Sequence, residues 1–151
     1  MTQSRLLKSA RQLFERTEQR HAVALAESER QVRENELKLA ELERYRATYM
    51  DDFEQRVSQG LSAAQVRIHQ GFIARIAQAV SEQRELLARA RSHHAEELRK
   101  WRAAARRSAA VNRIVDRQEQ AAQQRAAKSE QAESDAHAQR LWATKGGRHG
   151  H

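Results

Sequence analysis

Apolar positions recur every seven residues along most of the chain. Val66, Ile73, Val80, Leu87, His94, Trp101, Ser108, Val115 and Ala122 form one such set, and seven of the nine are apolar. A companion set three residues on includes Ile76, Ala90, Ala104 and Val111. Upstream, Leu25, Val32, Leu39 and Phe53 keep the same period, with Leu42 and Tyr49 as partners. A sustained heptad with two apolar positions predicts a left-handed coiled coil. Leu6 and Leu13 fall out of step, because Leu13 stands 12 residues before Leu25 and not 14. This offset predicts a stutter near residues 14–24.

The breaks in the pattern set the boundaries. Gly60 stands alone between long glycine-poor stretches, and glycine takes the left-handed helix-terminating conformation without steric penalty. Directly behind it, Ser62-Ala63-Ala64-Gln65 has the Ser-x-x-Gln spacing of a capping box. The prediction is all-α: a helix over about 4–58, a turn at 59–61 and a longer helix over about 62–143. So short a connection makes the two antiparallel neighbours in a coiled-coil hairpin whose second helix overhangs. Facing residue numbers then add to roughly 120, which sets Leu6 opposite Ile114 and ends the shared stripe near Val115. Residues 117–140, rich in Gln, Ala and charge, are expected as a frayed overhang or a segment ordered by a partner. A Gly-rich tail at 146–151 is expected to be disordered.

Composition narrows the classes. The 151 residues hold no proline, no cysteine and five glycines, and segments 1–59 and 72–145 have neither proline nor glycine. Turns for a sandwich, barrel or α/β fold are missing. With 32% charged and 5% aromatic residues, the chain has little from which to build an enclosed pocket. The longest apolar run, residues 22–26, is far below the ~20 needed to span a bilayer, so no direct membrane insertion is expected. The N-terminus lacks the apolar region of a secretory signal. Net charge is +8, and it is unevenly spread: 0 over residues 1–60, +7 over 61–115 and +1 over 116–151.

Chemistry of the catalytic kind finds no support. No His-Glu-x-x-His zinc motif, phosphate loop or nucleophile elbow is present, so no enzyme activity, metal or cofactor is expected. The basic stretch around Arg99, Lys100, Arg102, Arg106 and Arg107 would attract polyanions, yet it matches no nucleic-acid reading motif, and the aromatics cluster elsewhere. A basic coiled-coil adaptor or nucleic-acid binder stays open as an alternative. Four of the seven aromatics, Tyr45, Tyr49, Phe53 and Phe72, lie around the turn. Helical geometry spreads the apolar residues there over a wider arc than a two-helix seam covers. An exposed apolar patch of Leu42, Tyr45, Tyr49, Phe72, Ile76 and Ala79 is the expected partner surface. Trp101 falls in the seam, and Trp142 stands alone near the C-terminus.

The segment YRATYMDDF, the Gly60 turn, HQGFIARIAQAVSEQRELL and Trp101 beyond it resemble, in order and spacing, the flagellar type III export protein family FliJ. SEQAESDAHAQR is similar to the family's acidic ending, with Ala132 and Ala136 in place of a Lys and an acidic residue. The resemblance implies a stalk-like accessory protein of the flagellar export apparatus, cytoplasmic and peripheral to the cell membrane at the flagellar base. Its implied partners are the export ATPase hexamer, the cytoplasmic domain of the export-gate membrane protein, and export chaperones. The family's gate-binding face carries over to Leu42, Tyr45, Tyr49, Phe72, Ile76 and Ala79, flanked by Lys38 and Gln83. The ATPase-facing part carries over to the N-terminal turns and about 110–140, with Arg106, Arg107 and Arg113 as candidate contacts to acidic loops. Stalk proteins of virulence type III secretion are the related alternative.

Overall fold

A computed structural model describes residues 2–149, with side chains for residues 3–146. It contains two helices, α1 (Thr2–Gln59, 58 residues) and α2 (Ala63–His149, 87 residues), and no strand among the described residues. The connection is built as its residues dictate. Gly60 has φ +97°, a conformation in which a Cβ would be strained, and its N–H donates to the Val57 carbonyl at 3.1 Å. The Gln65 N–H donates to Ser62 Oγ at 3.2 Å while the Ser62 N–H donates to Gln65 Oε1 at 3.1 Å, so the capping box closes in both directions. The expected second helix stopped near 143, whereas α2 runs on through His149. Gly150 and His151 of the expected tail lie outside the described residues.

The chain packs as two compact units: Thr17–Ala105, and the two ends Met1–Arg16 with Arg106–His151. In the first, the turn brings α1 and α2 side by side. Arg84 pairs with Glu43 at 3.1 Å, Arg91 with Glu36 at 3.5 Å, and Tyr49 meets Phe72 with ring centroids 4.8 Å apart. Tyr49 with Phe72 and Asn35 with Gln83 each add to roughly 120, the antiparallel register expected from the turn, while the longer side chains of the two ion pairs reach along the seam. On α2 every position of the two heptad sets from Val66 to Ala104 is buried or half-buried, with Ile76, Val80 and Leu87 almost fully so. On α1 the covered positions from Leu25 to Phe53 likewise step by three and four, with Gln31 covered beside Val32.

In the other unit the seam takes Leu7, Arg11 and Phe14 from α1, and Ser108, Val111 and Val115 from α2. Leu6 and Leu13 point outward, 68% and 60% exposed. The expected stutter is therefore absent: positions 14, 18, 21 and 25 are all covered and keep the heptad spacing, with 17, 22 and 24 half-buried beside them. Each of those leucines has an apolar neighbour, Leu7 or Phe14, that continues the heptad, and the neighbour takes the seam. The same substitution corrects the facing pair. Ile114 is exposed, and Leu7 and Val115 line one shallow hollow together. From 116 to 146 α2 is helical with every side chain exposed.

The seam is thin and partly polar. Five apolar side chains are buried among the described residues, Ile76, Val80, Leu87, Ala104 and Val115, against four polar ones, Ser28, Gln83, Glu97 and Ser108. Polar seam positions must satisfy each other. Gln83 Nε2 donates to Asn35 Oδ1 at 2.8 Å and to the Asn35 carbonyl at 3.2 Å, and Asn35 Nδ2 donates to the Gln31 carbonyl at 2.8 Å. Ser28 Oγ donates to the Leu25 carbonyl at 2.7 Å. Such a station costs stability relative to an apolar layer but admits one register only.

Gln83→Ala leaves Asn35 Oδ1 without its donor and is expected to lower stability by about 1–2 kcal/mol in urea unfolding. Asn35→Leu with Gln83→Leu is expected to raise the thermal midpoint while broadening the mass distribution in light scattering, because the register is no longer specified.

Candidate functional site

Beside the turn the two helices carry more apolar surface than they cover. Tyr49 is half-buried at the centre, with Tyr45 at a centroid distance of 6.5 Å, His69 at 5.8 Å and Phe72 at 4.8 Å, all tilted. Its hydroxyl lies 2.6 Å from His69 Nδ1, which also fixes the imidazole against Phe53 at a centroid distance of 5.3 Å. Tyr45, one turn before Tyr49, is 51% exposed, and Phe72 is 37% exposed. The two outer rings are held by an inner ring that is itself tied across the helices. They form a preformed apolar face whose side chains lose little freedom on binding.

Of the six residues expected on an exposed patch, Tyr45 and Phe72 are exposed, and Leu42, Tyr49 and Ala79 are half-buried. Ile76 is a correction: it is 6% exposed, in the seam with Val80. Ile76 is three residues on from the set containing Ile73, so the second heptad position claims it, and it supports the face from beneath. Gln83, a flanking position by resemblance, is buried on Asn35, while Lys38 is exposed.

A hollow beside the rings is lined by Tyr45, Tyr49, Arg67, Ile68, His69, Gly71, Phe72 and Arg75. Sequence reasoning missed His69, Arg67 and Arg75 here. His69 occupies the companion heptad position, three after Val66, which marked it as inward; its polarity hid it. Gly71 lies within α2, where glycine is worse than alanine by about 1 kcal/mol. Its φ is not positive, and a Cβ added there would meet nothing within 4 Å. Nothing within the fold requires glycine at this position.

Basic residues line α2 in both units. In Thr17–Ala105, Arg99 donates to Glu96 at 2.6 and 3.0 Å and holds that carboxyl below its ordinary pKa, while Lys100 lies 3.5 Å from Glu97. Part of the positive charge is thus met internally. In the other unit Arg106, Arg107 and Arg113 are exposed, and Arg113 Nε donates to the Ala109 carbonyl at 3.4 Å. Trp101 is half-buried at its heptad position, and Trp142 is 79% exposed. No group of three or more His, Cys, Asp or Glu among the described residues is placed to hold a metal. No helix of the described residues is long and apolar enough to cross a membrane.

A family model described as the flagellar FliJ protein matches residues 4–147. No curated protein matches the chain, and no solved structure does.

The geometry separates residues that hold the fold from residues that face outward. Tyr45→Ala is expected to change stability by no more than about 0.5 kcal/mol. Tyr49→Ala and Ile76→Ala are expected to cost about 2–4 kcal/mol each, read as shifts in the urea midpoint at constant slope.

Proposed function

The chain belongs to the flagellar FliJ family, and on that premise we propose that it docks on the cytoplasmic domain of the export-gate membrane protein through the aromatic face beside Gly60. The family is a non-enzymatic component of the flagellar protein export apparatus. Within that apparatus the proposed role is a stalk: one part held by the export ATPase hexamer, the turn end engaged with the gate. Ring assembly and nucleotide state would then bear on gate opening through a single chain, which also handles export chaperones in the cytoplasm.

The observation that carries the reading is the state of Tyr45 and Phe72. Tyr45 is half exposed and Phe72 more than a third exposed although both contact or neighbour Tyr49, which is tied across the helices. Rigid exposed aromatics at the centre of a patch are the side chains that dominate binding energy at protein interfaces. Leu42 and Ala79 extend the face, and Ile76 backs it. For the ring-facing part, the support is α2 from 116 to 146, a helix with no side chain covered, together with exposed Arg106, Arg107 and Arg113. A helix this polar on all sides has no tertiary packing of its own, and the proposed ring would supply it.

Tyr45→Ala combined with Phe72→Ala is expected to weaken binding to the gate's cytoplasmic domain by at least about 100-fold in calorimetry, with the helical circular dichroism retained. Unchanged affinity would refute gate docking through this face. Steeply salt-dependent binding to polyanions, lost on neutralising residues 99–107, would favour a nucleic-acid binder instead.

A further inference from the structure

The face continues past the aromatic rings onto the outer side of α2, where three residues one helical turn apart form a different kind of surface. Arg67, Gly71 and Arg75 share that side, and all three line the hollow that Tyr45 and Phe72 border. Gly71 is exposed, helical and free of neighbours for an added Cβ. Arg67 and Arg75 have no hydrogen-bond or ion-pair partner among the described residues, whereas Arg84, Arg91 and Arg99 each have a glutamate. No Asp or Glu occurs from residue 61 to residue 81, so nothing on this stretch of α2 answers the two guanidinium groups.

We infer that Gly71, bracketed by Arg67 and Arg75, is a cradle in which an acidic segment of the docked partner lays its main chain directly against α2. A glycine in a helix interior weakens the helix, and here no internal packing explains it. Leaving out the Cβ opens a gap through which another backbone approaches to contact distance. The charges name the occupant. Two unanswered guanidinium groups eight residues apart, about 12 Å along the helix, select a segment carrying carboxylates on either side of its point of closest approach. The neighbouring aromatic rings then receive an apolar side chain of the same segment. This inference rests on gate docking through the aromatic face, and it adds the residues that select the segment.

The test uses the full chain titrated with the gate's cytoplasmic domain at several salt concentrations, with Tyr45→Ala run beside Gly71→Ala and Arg67→Ala/Arg75→Ala. Gly71→Ala is expected to raise the thermal midpoint by about 3 °C and yet weaken binding about tenfold. The double arginine variant is expected to weaken binding about fivefold or more at low salt and to flatten its salt dependence. If Tyr45→Ala weakens binding while Gly71→Ala and the arginine variant bind as the natural chain does, the cradle is refuted and face docking survives. If Tyr45→Ala also leaves binding unchanged, docking itself fails and the cradle with it. If Gly71→Ala instead abolishes self-association of the chain and leaves gate binding intact, the occupant is a second copy and the inference is overturned.

Discussion

Two helices side by side can cover each other along one stripe only. Everything outside that stripe meets solvent or another molecule. Here the stripe is set by steps of three and four residues, and it buries few apolar side chains. Each fully buried Val, Leu or Ile contributes about 1.5–3 kcal/mol against the entropy of ordering long helices, so the margin is narrow. The part-buried Asn35–Gln83 station lowers that margin further and in return disfavours slipped pairings.

That same narrowness produces the exposed face. Near Gly60, Ile73, Ile76 and Val80 fill the stripe from α2, which leaves Phe72 and Ile68 on its flank, while Tyr45 is left outside on α1. In a fold with a third helix these side chains would be core. With only two helices they stay open, and Tyr49 with His69 keeps them in place. The surface is therefore ordered in the free chain.

Much of this was readable from residue order alone. The lone Gly60 with Ser62 and Gln65 behind it marked the reversal, and the heptads of Val66 to Val115 marked the inward side of α2. Register at the N-terminus was ambiguous because Leu6-Leu7 and Leu13-Phe14 are adjacent apolar pairs, either member of which fits a heptad locally. The sequence places Ile76 on the patch because it lies about 50° from Ile73 around the helix, an angle the stripe still covers. Ser28, Gln83 and Glu97 were not legible as buried, since polarity at a heptad position reads as outward until its hydrogen-bond partners are known. The vacancy at Gly71 became informative only once its surroundings were seen to be empty.

Hydroxyl-radical footprinting of the chain, alone and with the gate's cytoplasmic domain, reads both rings in the free and bound states, with exposed Trp142 as internal reference. Tyr45 and Phe72 are expected to be modified readily in the free chain and protected in the complex, while Trp142 reacts equally in both. Rings that resist modification in the free chain, or that stay reactive when the gate domain is bound, would contradict docking through these rings.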